Sequence, residues 1–319
     1  MVAAEHLIRT MRVAEMFILS LTSTRAKTLL NYSLPKNHAH LHCLLYTKQL
    51  FVFKFPPDSV TFHFKQEQDD AKEYSSYKSQ NVVSKLFLGE PMEVISARPF
   101  EVVAKAFLTR LAKSFHTPKI SMDFGRVVTP EAALRLLNHA KSLNLPMERI
   151  ELGTKNTPVE IYRAFLNVGP ITKELFIASA ATPDFQYSPS EVLKLDIFQV
   201  EDGHWVHLQD FMECKSLVVI NMTAKPNLYS VNGQKFNEFF KVWQRSSCRL
   251  EHLDFWGRRY DRLNFEQVIM GLNSTNFVTT NYGNNGFQSV DIEREDGRKA
   301  TIRFARLDGA EQVSLKKKN

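Results

Sequence analysis

The stretches Leu217-Val218-Val219-Ile220-Asn221-Met222 and Leu250-Glu251-His252-Leu253-Asp254-Phe255 share one phrase, apolar-x-x-apolar-x-apolar. Each is short and rich in apolar residues, which is how a half-buried strand reads. Related runs precede them: Ile120-Ser121-Met122-Asp123-Phe124, Ile150-Glu151-Leu152, Leu175-Phe176-Ile177 and Leu195-Asp196-Ile197. Between most of these lies a helical pattern, over 129–143, 158–167, 205–213 and 233–245. A strand–helix unit of this size has an apolar face that it cannot bury alone, and stacked neighbours cover it. The strand starts, taken at Ile120, Ile150, Leu175, Leu195, Val218 and Leu253, are irregularly spaced, 30, 25, 20, 23 and 35 residues apart. The expected fold is therefore mixed α/β, an irregular leucine-rich-repeat-like domain. An ordinary α/β domain with parallel strands is the other reading.

Working outward, the segment before Pro35 reads as helices. Leu7, Met11, Ala14, Ile18 and Leu21 fall on one helical stripe. Thr22-Ser23 can cap a second helix over 24–33, with Ala26, Leu29 and Leu30 on its inner side. So small a helical segment is stable only when docked on the rest of the chain or on a partner. From Leu41 to Lys65 the period changes to two, with Leu50 and Val52, then Val60, Phe62 and Phe64, around Pro56-Pro57-Asp58. That is a strand, a turn and a strand. Residues 66–80 read as an exposed loop, and 100–115 as a helix with a broad apolar face. At the end, Val290 and Ile292, then Ala300, Ile302 and Phe304, flank Glu295-Asp296-Gly297-Arg298 as a hairpin. The lysine triplet Lys316-Lys317-Lys318 is expected to fray.

Composition narrows the function classes. The 319 residues are 44% hydrophobic and 24% charged with only 12 Gly and 13 Pro, which excludes a disordered or collagen-like chain. Three distant cysteines, Cys43, Cys214 and Cys248, make neither a disulfide framework nor a cysteine-rich zinc site and favour a reducing compartment. The net charge is +7. Arg9, Arg12, Arg25, Lys27, Lys36, Lys48 and Lys54 outnumber Glu5, Glu15 and Asp58 in residues 1–64, and the lysine tail holds most of the remaining excess. A basic head suits an acidic partner, whereas a nucleic-acid binder shows a continuous basic stripe. The longest tight apolar run near the start, Met16 to Leu21, is too short for a membrane span or a signal-peptide core. The first thirty residues are amphipathic and contain Arg, as in a mitochondrial transit peptide, but Glu5 and Glu15 count against that. The expected location is intracellular, cytoplasmic or nuclear.

No Gly-rich phosphate loop, Gly-x-Ser-x-Gly, zincin or EF-hand spacing is present. His38, His40 and His42 lie on one side of an extended chain, as a metal trio or, better, as a polar loop entering a strand, since no carboxylate or cysteine lies at ligand spacing. His204 and His207, beside Asp202 and Asp210 on an expected helix, read as a solvated face. Cys214 and Cys248 read as packed thiols. The expectation is a non-enzyme with no catalytic residue, cofactor or metal. A recognition surface is easier to place, at Trp256, Arg258, Arg259 and Tyr260, where Trp, Arg and Tyr follow directly on a strand. Trp256 and Tyr260 equally suit capping of the core there.

Several stretches, in order, carry a family resemblance. Ile8-Arg9-Thr10-Met11 and Leu19-Ser20-Leu21-Thr22-Ser23-Thr24-Arg25-Ala26-Lys27 resemble the second half of the F-box of the large nematode F-box family. Phe115-His116-Thr117-Pro118-Lys119-Ile120 resembles that family's F-box-associated domain. So does the Trp243 helix leading to Arg249-Leu250-Glu251-His252-Leu253, and so does the run from Asp291 to Ile302. The resemblance implies an F-box-like segment at 1–38 and a substrate-binding F-box-associated domain at 39–319. The family's F-box opens on a Leu-Pro-containing stretch and a longer first helix, so residues 1–38 read as an F-box lacking its start. The implied function is the substrate-recognition subunit of a Skp–cullin–F-box ubiquitin ligase. Ile8, Met11, Phe17 and Leu21 would dock the Skp adaptor, and through it cullin, while the later domain holds a protein substrate. Catalysis would belong to the ubiquitin-conjugating partner. A repeat-like interaction scaffold without ligase coupling is the alternative.

Overall fold

A computed structural model describes residues 6–8, 10–34, 39–46, 48–56, 58–66, 75–79, 82–87, 92–115, 118–221, 232–258, 263–282, 285–307 and 310–318. The protein is mixed α/β, built on extensive β-sheet. It divides into two compact units, Met1–Lys155 and Asn156–Asn319.

The first unit opens with helices α1 (Val13–Thr22) and α2 (Thr24–Ser33). The expected stripe is not the one that packs. The helical pattern breaks at Met11–Arg12, and α1 restarts in another phase with Val13, Met16, Phe17 and Ser20 buried, while Leu7 is 64% exposed. The aromatic ring decides this phase: Phe17 lies 4.6 Å from Phe62 and 4.9 Å from Phe107. Glu15 Oε2 accepts from the Arg12 backbone N–H at 2.7 Å, and Asp58 accepts from that of Val13 at 3.0 Å, which ties the helix start to the neighbouring sheet. Ser23 caps α2, as its position in the sequence implies, by accepting from Ala26 N at 3.0 Å.

The sheet of this unit comprises β1 (His40–Leu45), β2 (Leu50–Phe55), β3 (Asp58–Gln66), β4 (Ser75–Ser79), β5 (Val82–Phe87), β6 (Met92–Ser96), β7 (Lys119–Phe124) and β8 (Met147–Leu152). Their order is β8-β7-β1-β2-β3-β6-β5-β4. Parallel pairs β7/β8 and β1/β7 meet the antiparallel run β1/β2/β3. The inward face of β2 is Phe51 and Phe53, with Leu50 and Val52 on the other side. The loop expected at 66–80 contains a strand, β4; residues 67–74 and 80 lie outside the described ones. Helix α3 (Phe100–Ser114) supplies Phe107, whose ring meets Phe51, Phe62 and Phe64 within 6.1 Å. Helix α4 (Pro130–Ser142) follows β7 and is joined to α3 by a forked Arg135–Glu101 ion pair.

The second unit contains α5 (Val159–Leu166), β9 (Glu174–Ile177), β10 (Ile197–Val200), β11 (Ser216–Asn221), α6 (Gly233–Arg245), β12 (His252–Arg258), α7 (Phe265–Ile269), β13 (Ser274–Tyr282), β14 (Asn285–Glu293), β15 (Lys299–Leu307) and β16 (Ala310–Lys317). Strands β9 to β12 run parallel in sequence order, and β16, β15, β14 and β13 follow antiparallel. Leu253 and Phe255 turn toward α6, where Phe255 meets Phe236 edge-on at 5.2 Å. The β14/β15 hairpin forms as expected, with Gly297 supplying a φ of 83° at its tip.

Two expectations fail here. Residues 205–213 form no α-helix, only a 3₁₀ turn at Leu208–Phe211. Buried Trp205 packs among Tyr162, Phe185, Tyr187 and Phe198, and the chain closes behind it. The lysine tail is not frayed. Lys316 and Lys317 belong to β16, which is held between β12 and β15 by burial of Val313 and Leu315. Lys318 Nζ donates to Asp291 at 2.5 Å, and Asn276 and Thr301 donate to the same carboxylate at 2.8 Å.

These donors, Lys318 foremost, hold the Asp291 carboxyl at about 2, below its ordinary 3.8. A depressed folded pKa stabilises above the unfolded value, and the gain is lost as pH falls from about 4 through about 2. Asp291→Asn is therefore expected to lower the melting temperature at pH 7 and to lower it much less near pH 2, as thermal melts at both pH values will show.

Candidate interaction surface

In the second unit the parallel strands have helices on one face, and the other face is half-exposed. On β12 the alternation sends Leu253 and Phe255 to the helices and leaves His252, Asp254 and Trp256 half-buried on the opposite side. The strand register places Ile220 of β11 and Gln312 of β16 beside Trp256, and Val218 and Ser314 beside Asp254. Gln312 Nε2 donates to Asp254 Oδ1 at 2.6 Å. Phe176 and Gln199 extend the row across β9 and β10. The result is a half-exposed strip in which Val218, Ile220 and Trp256 lie together, the Gln312–Asp254 amide–carboxylate pair lies beside them, and Gln199 separates Val218 from Phe176. Such a surface suits protein contact through an aromatic anchor.

Of the four expected recognition residues, the structure locates Trp256 on this strip and pairs the Arg258 backbone with Ala310. The side chain of Arg258, and Arg259 and Tyr260 entirely, lie outside the described residues. The strip neighbours Ile220 and Gln312 escaped sequence reasoning. Ile220 reads as core in an apolar run, and only the tertiary pairing of β16 with β12 brings Gln312 into place.

Between the end of α6 and the start of β12 lies a buried knot. The Arg294 side chain is 1% exposed, with its guanidinium 5.2 Å over the Trp243 ring. Its Nη1 donates to the Cys248 carbonyl at 3.0 Å and its Nη2 to that of Ser246, while Asp296 balances the charge at 3.3 Å. Trp243 Nε1 donates to Leu250 O at 3.2 Å. Gln244 Nε2 donates to Asn273 O and Glu293 O at 3.0 and 3.1 Å. One arginine thus joins the end of α6, the segment before β12 and the β14/β15 turn.

The expected adaptor-docking residues are split. Ile8 and Phe17 are packed inside the first unit, at 1% and 0% exposure, and offer no surface to a partner in this conformation. Met11 and Leu21 are half-exposed. Two exposed side chains join them on the same helical segment: Leu7, and Tyr32, which the sequence pattern did not single out and which is 80% exposed. Asn31 Nδ2 donates to Lys113 O at 2.9 Å and ties α2 to the end of α3.

The first unit's sheet has a polar half-open face. His42 Nε2 lies 3.1 Å from Asp123 Oδ2 and His40 Nε2 lies 2.9 Å from Ser121 Oγ, with the two rings stacked at 6.0 Å. Arg149 bridges Asp123 at 3.5 Å and Glu151 at 2.6 Å. Burial, and next the adjacent His42, lower the pKa of His40. His38 lies outside the described residues, and no group of three metal-ligating side chains occurs among the described ones. His204 is not on a helix face: its Nδ1 pairs with Asp202 at 3.1 Å and its Nε2 lies 3.1 Å from Thr182 O. The three cysteines are free and buried, and burial pushes the Cys214 thiol up to about 12. No helix among the described residues is long and apolar enough to cross a membrane. No protein-family model, curated protein or solved structure matches the chain.

Proposed function

We propose that this chain is a substrate-recognition subunit of a Skp–cullin–F-box ubiquitin ligase, acting in the cytoplasm, the nucleus or both. The α1/α2 segment faces the Skp adaptor, the second unit holds a protein substrate, and the ubiquitin-conjugating partner carries out the chemistry. One observation carries this reading. Two stretches resembling the F-box-associated domain, the Trp243 helix with Leu250 just after it and the segment of Arg294 about 44 residues later, converge in a single buried knot. Residues that meet in one core and hold an arginine there belong to one folded module, which supports reading these stretches together. The irregular repeat-like succession of parallel strands suits the same reading, since its half-exposed face is where a protein partner fits.

The burial of Ile8 and Phe17 favours the second reading, an interaction scaffold without ligase coupling, because it removes two of the four docking side chains. Deleting residues 1–38 would uncover Phe62 and Phe107, so point variants of the full chain separate the readings better. Pull-down with purified Skp adaptor is expected to retain the wild-type chain. Met11→Glu combined with Leu21→Glu is expected to weaken retention about tenfold or more, since two carboxylates would be desolvated at the contact. A wild-type chain that never binds the adaptor would rule out the ligase reading and leave the scaffold.

A further inference from the structure

Among the described residues of the second unit, β13 ends the sheet, paired with β14 on one side only. Its nine residues, Ser274-Thr275-Asn276-Phe277-Val278-Thr279-Thr280-Asn281-Tyr282, include no Lys, Arg, Asp, Glu or Pro. Natural sheets protect an open edge with a charge, a proline, a bulge or a very short strand. Here a bulge between Thr275 and Val278, with Asn276 at a φ of 55°, twists only the first half away. From Val278 to Tyr282 the register with β14 is regular, so this half presents a straight row of backbone donors and acceptors. Residues 274–279 are exposed, with Phe277 at 53% and Val278 at 50%. Phe277 is not idle filler of the core: it leans on Phe265 at 6.0 Å from the outside.

We infer that β13 is a self-association edge, pairing antiparallel with the β13 of a second copy of this chain. The occupant follows from charge. A two-fold pairing sets a strand against its own sequence, so a charged residue on the axis faces its own copy and one beside the axis lies diagonal to its own copy, and such close like charges are destabilising. A wholly neutral strand escapes that penalty. An axis at Thr280, the middle of the regular half, sets Thr280 against Thr280, Val278 against Tyr282 and Thr279 against Asn281. Opposed threonines are a favourable cross-strand pair. The two sheets then continue across the axis, and each edge satisfies the other's backbone groups. The paired stretch from Val278 to Tyr282 is about 17 Å long and contributes an interface below the usual range, so the dimer is weak and reversible. The inference is independent of ligase activity and goes beyond it, because a ligase subunit that dimerises presents two substrate surfaces at once.

Sedimentation equilibrium of the full chain between about 1 and about 300 µM, the span in which a small interface associates, tests it directly. The expected result is a monomer–dimer equilibrium. Thr280→Lys is expected to weaken it at least tenfold, and an equimolar mixture of Thr280→Lys with Thr280→Glu to restore dimers containing one of each. Thr279→Lys, at an exposed position, serves as the second variant if Thr280→Lys melts early. A chain that stays monomeric throughout overturns the inference. So does a dimer that neither lysine variant weakens, which would place the contact on another surface.

Discussion

Arg294→Ala is expected to destabilise the second unit by about 3–5 kcal/mol, the usual effect of removing one partner from a buried charged cluster. The side chain is almost wholly buried and has three roles there. Its guanidinium donates to the carbonyls of Cys248 and Ser246, which lie beyond the end of α6 and ahead of β12. It lies over Trp243, and it meets Asp296 within the hairpin turn. Alanine leaves both carbonyls without their donor, and each orphaned buried acceptor costs about 1–3 kcal/mol. Lysine cannot substitute, since one ammonium lacks the planar fork that reaches two carbonyls and stacks on an indole. Urea unfolding of the full chain, followed by tryptophan fluorescence, will report the change through Trp243 and Trp205 in the same unit. A loss below about 1 kcal/mol would mean that the knot is not what holds these segments together.

Phe107→Ala is expected to cost the first unit about 3–5 kcal/mol, the range for emptying a buried aromatic position. Phe107 is fully buried, and its ring lies 4.9 Å from Phe17, 4.7 Å from Phe62 and 5.3 Å from Phe64. It is one ring that touches both the sheet and α1, beside the direct Phe17–Phe62 contact. The expected consequence is therefore local as well as global: hydrogen exchange across Val13–Thr22 should quicken more than exchange in α4. If α1 exchanges as slowly as in the wild type, its anchoring does not run through Phe107. The same variant bears on the adaptor reading, because loosening α1 frees Phe17 and Ile8. A Phe107→Ala chain that binds the Skp adaptor more tightly than wild type would identify the packed position of α1 as an obstacle to docking.

The elements that were legible in the sequence have strong periodicity of their own. Helices α3, α4, α5 and α6 fall within a residue or two of their apolar patterns, and β2, β3 and the β14/β15 hairpin follow from period-two alternation and an Asp-Gly tip. What misled lay where tertiary contacts overrule local pattern. A helical stripe through Leu7 and Met11 is internally consistent, but the ring of Phe17 finds a better site than those side chains do, and the helix turns to follow it. Residues 205–213 contain helix-compatible spacing, yet Trp205 is buried more favourably when the segment closes as a turn. The lysine tail reads as solvated because a strand next to β12 cannot be foreseen from Ala310 to Lys317 alone.

The candidate surface shows the same division. Trp256 was legible, since an aromatic residue ending an apolar strand stands out in any sequence. Its partners were not, because Ile220 lies 36 residues earlier and Gln312 lies 56 residues later, and only pairing of β11 and β16 with β12 sets them side by side. Composition, charge placement and periodicity by themselves determined a mixed α/β chain with a basic helical head and one aromatic-rich strand end. Tertiary structure decided which side of α1 is buried, which residues flank Trp256, that the terminal lysines form a strand, and that a neutral strand closes the second sheet. The physical reason is range. Propensity and periodicity act over a few residues, whereas burial of a ring, satisfaction of a buried guanidinium and pairing of strand edges are settled between residues that only the fold brings together.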